Sequence, residues 1–98
     1  MSEYLLSRRA ESNLLEIYEF TERRFGAYQS KAYFTGLVRT FGLLADFPRI
    51  GTSAEELAKG LRRFRFQSHH IFYAEETTHV LIRGLVHVSM KLRADLFE

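Results

Sequence analysis

The single proline of this chain, Pro48, separates two hydrophobic periods that one kind of secondary structure cannot satisfy together. Before it, Ala10, Leu14, Ile17, Tyr18, Thr21 and Phe25 follow mostly in steps of three and four. A second stripe runs through Tyr33, Phe34, Leu37, Val38, Phe41, Leu44 and Ala45. Such spacing gathers apolar groups along one face of an α-helix. Ser7 is a natural N-cap for the first helix, because its hydroxyl can accept an otherwise orphan backbone N–H. Gly26 suits the end of that helix, and Pro48 keeps the second from running far past Asp46. Two long amphipathic helices joined at Gly26 form an antiparallel hairpin whose apolar side must cover another layer.

After Pro48 the period falls to two. "SAEE" reads as a capping box that opens one short helical turn, with Ser53 as N-cap and Glu56 reaching back, and Gly60 closes it. "LRRFRF" then alternates, placing Phe64 and Phe66 on one face with Arg62 and sending Arg63 and Arg65 to the other. "HHIFYAE" and "THVLIRGLVHV" are rich in β-branched and aromatic residues, and "EETT" between them reads as a tight hairpin connection. With "EYLL" as a short opening strand, the order is β, α, α, β, β, β. The expected fold is α+β: an N-terminal strand and a helix hairpin packed on a three- to four-stranded antiparallel sheet, in one domain over residues 1–98.

Composition narrows the function. The net charge is +2, and residues 1–49 and 50–98 each carry seven Lys/Arg against six Asp/Glu, which is no general nucleic-acid signature. We expect no direct sequence-specific binding of nucleic acid. The chain has no cysteine, which removes disulfides, thiol catalysis and Cys-ligated metals. "MSEYLLSRRAESNL" offers an apolar run too short for a signal-peptide core or a membrane span, so a cytoplasmic protein without membrane contact is expected.

The stretch "GLRRFRFQSHHIFY" concentrates the chemistry, with three arginines, four aromatic residues and two adjacent histidines. Core phenylalanines and solvated arginines explain most of it, although guanidiniums on a rigid sheet also suit phosphate or carboxylate partners. His69 and His70 project to opposite faces of a strand and cannot share one ion. His79 and His87 lie eight residues apart along one strand, roughly 26 Å. No metal site, cofactor loop, nucleophile or acid/base pair is evident, so no catalytic residue, metal or cofactor is expected.

In order and spacing, "LSRRAESNLLEIYEFT", "LLADFPRIG" and "LRRFRFQSHHIFY" resemble the ParE toxins of bacterial type II toxin–antitoxin systems, within the RelE/ParE superfamily. The resemblance covers nearly the whole chain. It departs from the family's common pattern at Thr52, Ala74 and Lys91. The resemblance implies a toxin that stalls DNA gyrase by binding rather than by chemistry and is silenced by a ParD-type antitoxin in a hetero-oligomer. A ribosome-dependent mRNA endonuclease of RelE type is the alternative on the same scaffold, and it would draw on Arg63, Arg65, Arg83 and His87. The expected target-binding residues are Arg63, Arg65, Arg83, His87, Met90, Lys91 and Arg93. An antitoxin helix is expected on the outer side of the hairpin, anchored by Tyr28 or Tyr33, with its tail approaching Arg63 and Arg65.

Overall fold

The structure, a computed structural model, describes residues 3–97. Strand β1 (Tyr4–Leu6) leads directly into α1 (Arg8–Phe25), then α2 (Ala27–Asp46), β2 (Thr52–Ser53), β3 (Leu61–Phe66), β4 (His69–Glu75) and β5 (Val80–His87). A 3₁₀ turn at Ala94–Phe97 ends the described chain.

The caps of α1 lie where the sequence places them. Ser7 Oγ accepts the Ala10 N–H at 3.1 Å and itself donates to the Arg83 carbonyl at 3.1 Å, so one hydroxyl starts α1 and ties it to the sheet. Gly26 has φ of +92°, a left-handed conformation that glycine adopts without steric cost, and it alone separates the two helices.

The sheet differs from expectation in having five strands, in the order β1-β5-β4-β3-β2, with β1 parallel to β5 and every other pair antiparallel. β1 can lie parallel because the whole α-hairpin and three further strands intervene before β5, which is ample chain for a crossover. The fifth strand replaces part of the expected helical turn. Ser53 pairs with Arg62 in β2 instead of capping a helix, although its Oγ still accepts the Glu55 N–H at 3.3 Å. In place of a glutamate reaching back to Ser53, Glu55 reaches forward and accepts the Gly60 N–H at 2.9 Å, and residues 55–60 form only turns and a bend. A two-residue ladder plus these side-chain bonds satisfies the backbone that a helix would otherwise have satisfied.

Between the hairpin and the sheet lies the main core, built on Leu37, Phe41, Leu44, Ile71, Tyr73 and Ile82, all fully buried. Gly36 of α2 faces the Phe66 ring so closely that a Cβ there would collide with it, and this lets helix and sheet approach. The opposite face of the sheet is partly covered too. Leu61, Phe72 and Val86 form a second cluster with Ala54 and Phe97, flanked by Leu92 and Leu96. The Phe97 ring lies 4.6 Å from Phe72, and its carbonyl accepts from the Arg83 guanidinium at 2.6 Å. A bulge between Phe72 and Tyr73 in the β4–β5 register makes this possible: Phe72 pairs with Gly84 but Tyr73 with Ile82, leaving Arg83 as the extra residue. Ile82 and Leu85 therefore both reach the main core although they are three residues apart.

Candidate functional site

A cleft of about 1010 Å³ opens between α1, the far ends of β4 and β5, and the C-terminal segment. Helix α1 builds one wall because its apolar stripe outruns the sheet: Ala10 and Leu14 are buried, but Phe25 at the end of the same stripe is 62% exposed. Phe20 and Phe25 line the cleft with more than half their surface exposed, and Met90 does so from the other side. Large apolar groups left open side by side mark a surface shaped for another molecule.

Inside the cleft, Tyr33, His69 and His87 meet. His69 and His87 are cross-strand partners with ring centres 5.3 Å apart, and the Tyr33 hydroxyl lies 2.7 Å from His69 Nδ1. The same hydroxyl accepts the Ser68 N–H at 3.2 Å. Burial, then the His87 and His70 charges, push the His69 pKa down to about 4, so it is neutral at pH 7. His87 Nδ1 accepts the Ser89 N–H at 3.1 Å. Among the described residues no group of three or more His, Asp or Glu side chains is placed to hold a metal ion. Sequence reasoning missed the His69–His87 pair because it compared histidines along one strand. Centring the hairpin on residues 76–79 sets His69 opposite Val86, and the extra residue of the Phe72–Tyr73 bulge is what moves His87 into that place.

The other candidates fall on two separate surfaces. Tyr33 is half-buried and lines the cleft with His87 and Met90. Tyr28 is 85% exposed, one residue before Gln29, which lines the cleft. Arg63 and Arg65 project from the other face of the sheet, where Arg65 pairs across the ladder with His70 and Arg63 with Phe72. The ion pairs among the described residues are Arg49–Glu75 and Arg93–Asp95, so Arg63 and Arg65 have no carboxylate partner there. Burial and then these two guanidiniums lower the His70 pKa, as expected of like charges brought together. Arg83 also reaches that face but is engaged by the Phe97 carbonyl. Lys91 and Arg93 are exposed in the segment that leads to Phe97.

This division bears on chemistry. A nuclease site would need cations around the scissile phosphate and a proton acceptor beside the 2′-hydroxyl. Here the sheet itself separates Arg63 and Arg65 from His87, so those groups do not converge. What the described residues define is a small α+β fold with an open apolar cleft beside α1 and, on the other face of the sheet, arginines without a carboxylate partner. The profile of "ParE toxin of type II toxin-antitoxin system, parDE" matches residues 4–92. Toxin ParE1 of Caulobacter vibrioides is 38% identical over 96 residues, covering 98% of this chain and 99% of that one. Toxin ParE1 of Mycobacterium tuberculosis is 38% identical over 72 residues, 74% of each chain. A solved structure described as the chromosomal ParDE TA system from P. aeruginosa shares the fold, with a TM-score of 0.78 at 15% identity over 91% of this chain and 98% of that one. The chain belongs to the ParE toxin family of type II toxin–antitoxin systems.

Proposed function

We propose that this toxin poisons DNA gyrase by binding it, in the cytoplasm and without chemistry of its own, and that a ParD-type antitoxin silences it by occupying the cleft beside α1. The observation that carries the antitoxin reading is the exposure of Phe20, Phe25 and Met90 around one groove in a chain of this family. Apolar rings that neighbouring elements leave uncovered favour a partner that folds onto them, because burial releases water from both surfaces. Among the described residues no helix is long and apolar enough to cross a membrane. The gyrase reading draws on the cationic face of Arg63 and Arg65, whose guanidiniums have no carboxylate partner among the described residues and are free to bind an acidic surface, and on the exposed Lys91 and Arg93 beyond it, where Arg93 is held only by a solvent-exposed pair with Asp95.

Induction in bacteria tests both halves. Gyrase-linked DNA breaks that vanish when a ParD-type antitoxin is co-expressed are the expected result. Cleaved mRNA with intact DNA would replace the gyrase reading with the RelE-type one, and toxicity undiminished by the antitoxin would remove the silencing role.

A further inference from the structure

Strand β5 is longer than the strand that protects it. β1 pairs with β5 only as far as Leu6 opposite Ile82, after which the chain turns into α1 and leaves residues 83–87 with no strand on that side. Two side chains occupy part of the exposed edge: Ser7 Oγ donates to the Arg83 carbonyl, and Asn13 Oδ1 accepts the Leu85 N–H at 3.1 Å. Backbone groups of alternate residues point to the same side of a strand, so the Leu85 carbonyl and the His87 N–H face this side too. No side chain or backbone group among the described residues caps either of them there. The His87 carbonyl accepts the Met90 N–H, which ends the open edge.

The cleft runs along this edge, with Gly84, Leu85, Val86 and His87 on its floor. Unpaired strand edges recruit other chains, and natural proteins cover them unless they are used. We propose that an extended segment of the antitoxin adds to β5 as a sixth strand in the place β1 vacates, taking the Leu85 N–H from Asn13 and pairing with the Leu85 carbonyl and the His87 N–H. This rests on the antitoxin reading above and gives its binding mode. The open stretch from Gly84 to His87 spans roughly 10 Å, which admits about three or four partner residues. The walls set their chemistry. Phe20 and Ile17 of α1 ask for apolar side chains on the segment. Arg9 and Arg24 line the cleft against a single carboxylate, Glu16, and the Arg9 stem passes beside Gly84, so an acidic residue belongs next to the paired stretch. Addition of a strand supplies affinity through main-chain bonds that hardly depend on sequence, while the flanking apolar and acidic positions supply selectivity.

Amide exchange by NMR on the full chain, alone and co-purified with a full-length ParD-type antitoxin, tests this. Strand addition slows exchange at Leu85 and His87 by about tenfold or more in the complex, with interstrand contacts from their backbone protons to the antitoxin. Asn13→Ala should speed Leu85 exchange in the free toxin yet leave it slow in the complex, because an antitoxin carbonyl takes over. A complex in which α1 is protected while Leu85 and His87 exchange as in the free toxin would overturn strand addition and leave the antitoxin reading standing. Failure of the two proteins to associate at all would overturn both.

Discussion

Tyr33 of α2 and His69 of β4 are joined at 2.7 Å across the helix–sheet interface, and the bond holds a neutral imidazole in the cleft. Burial first, and the His87 and His70 charges after it, lower the His69 pKa from 6.5 to about 4. The folded protein therefore binds fewer protons than the unfolded chain between those values, and stability must fall as pH drops from 6.5 towards 4. Above 6.5 this residue contributes no slope. NMR titration should place His69 well below an ordinary histidine, and His69→Asn should flatten its part of the acid limb in urea melts. Titration of His69 near 6.5 would remove the basis of this prediction.

Tyr73 clamps the loop after α2. Its buried hydroxyl donates to the Pro48 carbonyl at 2.8 Å and accepts the Gly51 N–H at 3.0 Å. Arg62 adds bonds to the Arg49 and Gly51 carbonyls at 3.1 and 2.6 Å. Tyr73→Phe leaves two backbone groups unsatisfied and should cost about 1–3 kcal/mol. Gly51→Ala places a Cβ 2.5 Å from that hydroxyl and 2.6 Å from the Arg63 carbonyl, with backbone on one side that cannot yield. Its cost should be at least about 1–3 kcal/mol. Urea unfolding that showed both variants as stable as the parent would refute the clamp.

Much of this was legible beforehand, for reasons that also mark the limits. Ser7, Gly26 and Pro48 act within a few residues of themselves, so local chemistry reveals the helices they bound. Phe64 and Phe66 obey a period of two and fall on the core side as expected. The Phe72–Tyr73 bulge breaks that period, and only the pairing of β4 with β5 discloses it. The second cluster was hidden for the same reason: Leu61, Phe72 and Phe97 are distant in sequence and meet only because the sheet's outer face is folded over by the C-terminal turn. The cleft was equally silent, since Phe20 and Phe25 look like helix residues whose exposure depends on where the sheet stops.

Phe97 should therefore matter more to stability than its place near the end of the chain implies. Only 6% exposed, it packs on Phe72 while its carbonyl holds Arg83. Phe97→Ala should cost about 2–4 kcal/mol, somewhat under the figure for a central phenylalanine because the terminal turn can relax. Thermal melts check it, and an unchanged midpoint would mean that the outer cluster does not hold the segment.

The cations on the way to Phe97 should behave differently. Lys91 is exposed, and the Arg93–Asp95 pair at 3.3 Å has side chains 64% and 59% exposed, so water screens it and it adds little. Lys91→Glu with Arg93→Glu should leave stability within about 1 kcal/mol. The same holds for Arg65, whose Nε donates only to the Gln67 carbonyl at 2.7 Å, and for Arg63 beside it on the ladder. If this face meets an acidic target surface, each double charge reversal should lower toxicity in induced cells while the purified proteins melt together with the parent. The two pairs also separate the partners. Arg63→Glu with Arg65→Glu should weaken capture of the antitoxin's acidic tail in a co-expression pull-down, whereas the Lys91 and Arg93 reversal should spare capture. Undiminished toxicity in the second double variant would exclude residues 91–93 from target contact, and unchanged capture in the first would place the antitoxin tail away from the sheet's cationic face.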